Sequence, residues 1–152
     1  MIVELAIPAE QRHLLMPYTR WLLETNTASA TDYAMAQAAL AGAAVRFREL
    51  LNGYDVVITP TTTAPPLPTA ELRVDDGPGS LEAMARWSAF TPAANIAGNP
   101  GVSLPVHHTP LGVPIGVQLL APPFHDELLM SVAAQLEQVF SWQDAHPAMW
   151  VT

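Results

Sequence analysis

The side chains best suited to chemistry in this 152-residue chain fall in three places. They are the adjacent His107 and His108 with His125 and Asp126 beyond them, then Ser103, and the threonines of Thr59-Pro60-Thr61-Thr62-Thr63. A shared metal ion needs ligands converging on one point, whereas successive residues of an extended segment face opposite sides. No HExxH or comparable ligand spacing occurs, so the histidines read as loop or surface residues, and neither a metal nor a cofactor is expected. A self-contained serine hydrolase presents its nucleophile on a sharp turn, usually GxSxG. Ser103 sits instead within Gly101-Val102-Ser103-Leu104-Pro105, mid-strand and without the second glycine. All six cations are arginines, so a serine–lysine mechanism finds no base in this chain. Paired acids for glycoside chemistry are not evident, and the eight scattered glycines form no phosphate cradle. What remains is the threonine–proline stretch. Rigid, hydroxyl-rich backbone at the carboxyl end of a strand suits a cleft wall in an α/β protein, although an ordinary proline-rich loop has the same composition.

Positioning that stretch requires the elements around it. The central segment is residues 90–124, which reads as a short helix, a tight turn and two apolar strands. Thr91 is placed to cap the helix, Pro92 suits its first position and Gly98 its left-handed stop. Asn99-Pro100-Gly101 is turn chemistry. Residues 102–106 and 115–120 are β-branched and apolar almost throughout, as expected of strands covered on both faces, and residues 107–114 connect them as a loop. Upstream, Pro8 opens a helix reaching about Glu24, which Pro17 kinks or splits. Residues 1–7 read as a short strand or an irregular entry. Ser29 to Asp32 starts a second helix, along which Tyr33, Leu40, Ala44, Phe47 and Leu51 form one stripe, ending at Asn52-Gly53. Its many alanines predict close packing against something broad.

That helix passes directly into a short apolar strand, Val56-Val57-Ile58, which is an α/β signature. Four prolines among residues 60–68 then exclude helix or central strand. Asp75-Asp76-Gly77-Pro78-Gly79 is the best candidate for a disordered loop, with Ser80 capping a short helix over residues 81–87. Asp126 is placed to cap a last helix, about residues 127–140, with Leu129, Val132, Ala133, Leu136 and Phe140 on one face. The tail, residues 146–152, shows no clear element. With no repeat and no internal boundary, residues 1–152 form a single domain or part of one.

Half of the residues are hydrophobic, which excludes general disorder. A net charge of −8 with no basic run argues against nucleic acid or an anionic membrane as partner. Cysteine is absent, no signal-like amino terminus is seen and no apolar run is long enough to span a bilayer, so a cytoplasmic location is expected.

Several strings, in order, carry a family resemblance. They are Asp55-Val56-Val57-Ile58-Thr59-Pro60-Thr61, then Phe90-Thr91 followed by Asn95-Ile96-Ala97-Gly98-Asn99-Pro100-Gly101-Val102-Ser103-Leu104-Pro105. Gly112-Val113-Pro114-Ile115-Gly116-Val117-Gln118 and Phe124-His125-Asp126-Glu127-Leu128-Leu129 complete them. Over residues 29–140 the chain resembles the C-terminal part of the amidase signature family. The resemblance implies an α/β fold, here a few strands of a mixed sheet covered by helices, and hydrolysis of carboxamides to a carboxylate and ammonia or an amine. It also implies that the serine–serine–lysine triad lies in the family's N-terminal portion, which nothing in this chain matches. By the same resemblance Thr59, Thr61, Phe90, Thr91 and Asn95 line the substrate cleft, Asn95 mainly by holding a turn with its amide. Glutamine-using members usually carry an acid three residues before the threonine matching Thr91. Ser88 stands there, so glutamine is disfavoured and a general amidase expected.

These expectations describe a catalytically incomplete segment that supplies cleft wall and core to an amidase. The alternative is a non-catalytic binding or scaffolding module derived from one. The partners expected are a small-molecule amide once an N-terminal portion completes the site, and other copies of the chain through bare strand edges.

Overall fold

The computed structural model describes residues 7–25, 27–68 and 76–146. The expectations for residues 1–6, for Asp75 and for residues 147–152 lie outside these. Pro17 splits the first helical region as its missing N–H requires. A 3-10 turn at Ala9–Leu14 ends in extended backbone at Leu15, and helix α1 (Pro17–Thr25) begins on the proline. Helix α2 (Ala30–Leu51) starts in a reciprocal capping box. The Ser29 hydroxyl accepts from the Asp32 N–H at 3.1 Å, and the Asp32 carboxylate accepts from the Ser29 N–H at 2.9 Å. Strand β1 (Val57–Pro60) follows, then helices α3 (Gly77–Trp87) and α4 (Thr91–Ala97), strands β2 (Gly101–His108) and β3 (Pro114–Leu120), and helix α5 (Asp126–Phe140).

The three strands make one sheet in the order β1-β3-β2, and both pairings are antiparallel. Residues opposite one another share a face, so Val102 and Leu119, and Leu104 and Val117, point to one side. There α5 lies, and Leu104, Leu119, Ala121 and Leu129 form the buried cluster, joined by Val102, Val106, Val132, Ala133 and Leu136. The other side carries Val57, Thr59, Gln118, Leu120 and Ser103.

Burial on both faces holds only where β3 ends, at Gln118–Leu120; most of β2 and Ile58 of β1 remain half-buried or exposed. Among the described residues, α5 covers one face and nothing equivalent covers the other. The loop over residues 107–114 is shorter than its composition suggested. His107 and His108 are paired in β2, and the reversal is a tight turn in which Thr109 N–H donates to Val113 O at 2.9 Å.

The alanine-rich helix packs over half its length only. It packs on α4: Ala44 and Leu51 are buried in the one helix, Ala94 and Ala97 in the other, and the Arg48 guanidinium donates to Ala97 O at 2.7 Å. Its first twelve residues are exposed, Tyr33 to 64%. The expected stripe exists, but among the described residues its cover stops short of Leu40.

Three caps differ from expectation. Asp76 lies in no disordered loop: its carboxylate accepts from the Gly79 N–H at 3.1 Å and caps α3, which starts at Gly77 rather than Leu81. Gly77 sits against the Trp21 side chain, where a Cβ would collide, and this binds α3 to α1. Thr91 is the first residue of α4 and donates its hydroxyl backwards to Ser88 O at 3.3 Å. Asp126 is the first residue of α5, with His125 at the cap position. There its charge still complements the helix dipole.

Candidate functional site

A polar strip crosses the sheet face opposite α5. Pairing places Thr59, Gln118 and Ser103 side by side on three neighbouring strands. Gln118 is 6% exposed, and its amide nitrogen donates to Thr59 Oγ1 at 3.3 Å and to Phe90 O at 3.5 Å. A carbonyl can only accept, so Phe90 fixes which end of the amide faces it. Both bonds are long and act more to orient the side chain than to stabilise the fold.

Beside it the hydroxyls of Thr61 and Ser103 lie 2.6 Å apart, and Thr61 N–H donates to Gly116 O at 3.1 Å. Gly116 makes that approach possible. A Cβ there would stand 2.6 Å from Ser103 Oγ and 2.7 Å from Thr61 Oγ1. One hydroxyl of such a pair donates to the other, which leaves the second proton for a ligand. The strip can thus donate and accept hydrogen bonds, but hydroxyls and a carboxamide offer no base near neutral pH.

The chain leaves the strip along Thr63, whose N–H donates to Trp87 O at 3.2 Å and whose hydroxyl donates to Arg86 O at 2.5 Å. These bonds staple the threonine–proline segment to the end of α3. Between them opens a groove of about 1250 Å³ whose lining includes Met16, Tyr18, Leu67, Met84 and Trp87.

Of the five residues expected in a substrate cleft, the structure brings Thr59 and Phe90 together through Gln118 and sets Thr61 against Ser103 on the same face. Thr91 is occupied with Ser88, and the exposed Asn95 turns its amide back onto Thr91 O at 2.9 Å within α4. The turn is held by Asn99, which donates to Ala121 O at 2.8 Å. Gln118 escaped the sequence reading although it is the one polar side chain among residues 115–120, and that was its signal. Among the described residues no group of three or more acids and histidines is placed to hold a metal ion, and no helix is long and apolar enough to cross a membrane.

Comparison with known proteins decides the family. The family model described as Amidase matches residues 3–130. The chain belongs to the amidase signature family. AmiA2 of Mycobacterium tuberculosis, an amidase by name, is 40% identical over 110 residues, covering 70% of this chain and 22% of its own. A fatty acid amide hydrolase of Oryza sativa subsp. japonica is 32% identical over 130 residues, 80% of this chain and 21% of that protein. The solved 6-aminohexanoate cyclic dimer hydrolase superposes with a TM-score of 0.73 at 30% identity, covering 86% of this chain and 29% of its own. The chain thus spans about a fifth of the length of these curated relatives.

Proposed function

We propose that this chain is the C-terminal segment of an amidase-signature hydrolase, furnishing one wall of the substrate cleft and part of the core while other chain supplies the reacting groups. The observation that carries the reading is the strip itself. Thr59, Gln118 and Ser103 converge from three strands on one face, with the Thr61 hydroxyl against Ser103 and the Phe90 carbonyl tied to Gln118, and none of these groups is a base. A carboxamide offers both a carbonyl acceptor and N–H donors, and the strip can answer both. The family membership supplies the reaction class, hydrolysis of a carbon–nitrogen amide bond.

The sequence holds no lysine, so in this reading the family's lysine and paired serines lie outside it. Uncovered apolar surface supports the same view. Tyr33, Met35 and Leu40 of α2 and Ile58 of β1 are exposed to between 42% and 69%, and the edges of β1 and β2 are unpaired among the described residues. Such surface favours association with the rest of an amidase fold.

The test is complementation. The chain is produced alone and together with an N-terminal amidase portion bearing the glycine/serine-rich loop and its lysine. Hydrolysis of a simple carboxamide is expected only from the pair. Failure of every such pair to hydrolyse, with the two parts shown to associate, would turn the reading towards a binding module.

A further inference from the structure

We propose that Asn52-Gly53, the joint between α2 and β1, is a self-modifying site at which the folded chain converts its own asparagine to isoaspartate and aspartate through a cyclic imide. The proposal does not depend on the amidase reading. Sequence, conformation and surroundings each select this one asparagine.

The chain holds four asparagines, and the residue after each decides whether its backbone nitrogen can reach the side chain. Asn99 precedes Pro100, whose nitrogen carries no proton to give up. Asn26 and Asn95 precede Thr27 and Ile96, whose branched β-carbons crowd that nitrogen. Asn52 precedes Gly53, which has no side chain in the way.

The fold strengthens the contrast. Asn95 lies inside helix α4 with its amide nitrogen donating to Thr91 O at 2.9 Å, and Asn99 spends its own on Ala121 O at 2.8 Å. Asn52 lies just beyond α2 in a type II turn. Its φ of −64° and ψ of 128° are followed by φ +93° at Gly53, and Tyr54 N–H donates to Leu51 O at 3.2 Å. That bond closes the turn around the central peptide without engaging it. Among the described residues neither the Asn52 carbonyl, the Gly53 N–H nor the Asn52 side chain makes a hydrogen bond. Asn52, Gly53 and Tyr54 are all exposed, and nothing stands within 4 Å of where a Cβ on Gly53 would be. The central peptide can therefore rotate its nitrogen onto Cγ without breaking a hydrogen bond.

The chemistry needs only water and hydroxide. Hydroxide takes the Gly53 amide proton, the nitrogen bonds to Asn52 Cγ, and the Cγ–Nδ2 bond breaks. Ammonia leaves with a proton from water, which returns the hydroxide. Water then adds to one carbonyl of the imide and breaks its bond to the Gly53 nitrogen. Opening at the side-chain carbonyl gives aspartate, and opening at the main-chain carbonyl gives isoaspartate. Either product brings a carboxylate to the C-terminal end of α2, where the helix dipole opposes it. Isoaspartate also inserts a carbon into the main chain between Leu51 and Tyr54, so the turn that leads α2 into β1 opens.

The purified full chain is incubated folded, and in parallel unfolded in guanidinium chloride, at neutral and mildly alkaline pH. Its proteolytic peptides are followed by mass spectrometry and by methyl transfer from an isoaspartate methyltransferase. In the folded chain the amide-to-acid mass gain and the methyl label should accumulate in the peptide holding Asn52, and faster at the higher pH. Both should be lost there in Asn52→Gln, whose longer side chain closes the ring poorly, while Asn95 and Asn99 remain amides. A folded chain that keeps Asn52 while the unfolded one converts it overturns the proposal, because the turn would then protect the site. Conversion spread evenly over Asn26, Asn52 and Asn95, or none in either state, overturns it as well. So does acid without isoaspartate, since direct hydrolysis of the side-chain amide yields aspartate alone. In the isoaspartyl form the Tyr54 amide proton should exchange faster with solvent, and unchanged exchange would contradict the opened turn.

Discussion

Gln118 and Gly116 are the residues on which the site's geometry turns. Gln118→Leu keeps the volume but leaves Phe90 O and Thr59 Oγ1 without their shared donor. Because both bonds are long, it should cost only about 0.5–1 kcal/mol in a urea titration. Gly116→Ala forces Thr61 and Ser103 apart and should cost about 1–3 kcal/mol. In a Ser103→Ala background that cost should shrink, since the nearest obstructing oxygen is gone. Equal costs in the two backgrounds would show that the pair is not what Gly116 accommodates. At this scale the sequence disclosed residue types but not their meeting points. Thr59 and Thr61 announced themselves through the prolines around them. Ser103 was set aside because it fails as a nucleophile, although its use is as a neighbour of Thr61. Asn95 and Asn99 share one turn string, and only the register of β3 shows that Asn99 reaches Ala121.

Elements with local signals were legible and those depending on a distant surface were not. The capping box of α2 needs only Ser29 and Asp32, so it could be read directly. Hydrogen bonds from the Ser29 hydroxyl and backbone hold the Asp32 carboxyl below its ordinary range. A depressed carboxylate contributes stability that is present above the unfolded value of 3.8 and lost as pH falls through the folded one. Helicity of the chain relative to Asp32→Asn should therefore be higher at neutral pH and converge with it below that range, as followed by circular dichroism. Convergence already at pH 7 would deny the box its role. Burial separates the remaining helices. Leu129→Ala in α5, where the side chain is 3% exposed, should cost about 2–5 kcal/mol, while Met35→Ala in α2, at 68%, should stay within about 0.5. The α2 stripe was correct as a pattern. What no periodicity can report is whether a partner surface exists, and that is why the alanine-rich half was expected to be covered and is not.

Across the whole molecule, a hairpin and one helix make a core on one side of a three-stranded sheet, while the opposite face carries Thr59, Gln118 and Ser103. The order of motifs along the chain sufficed to reveal the family, because each string fixes a turn or a close approach that tolerates little change. It could not show that all described strand pairs are antiparallel, since strand order depends on β3 entering between β1 and β2. Tyr33→Asp combined with Met35→Asp should leave the melting temperature of the chain alone nearly unchanged and reduce its self-association in sedimentation. The same pair of changes should weaken assembly with an N-terminal amidase portion. The account is tested most directly by assaying carboxamide hydrolysis with the purified chain by itself and again after adding that portion. It predicts no turnover in the first case and turnover in the second. Amide cleavage at enzymatic rates by the unaccompanied chain would contradict it.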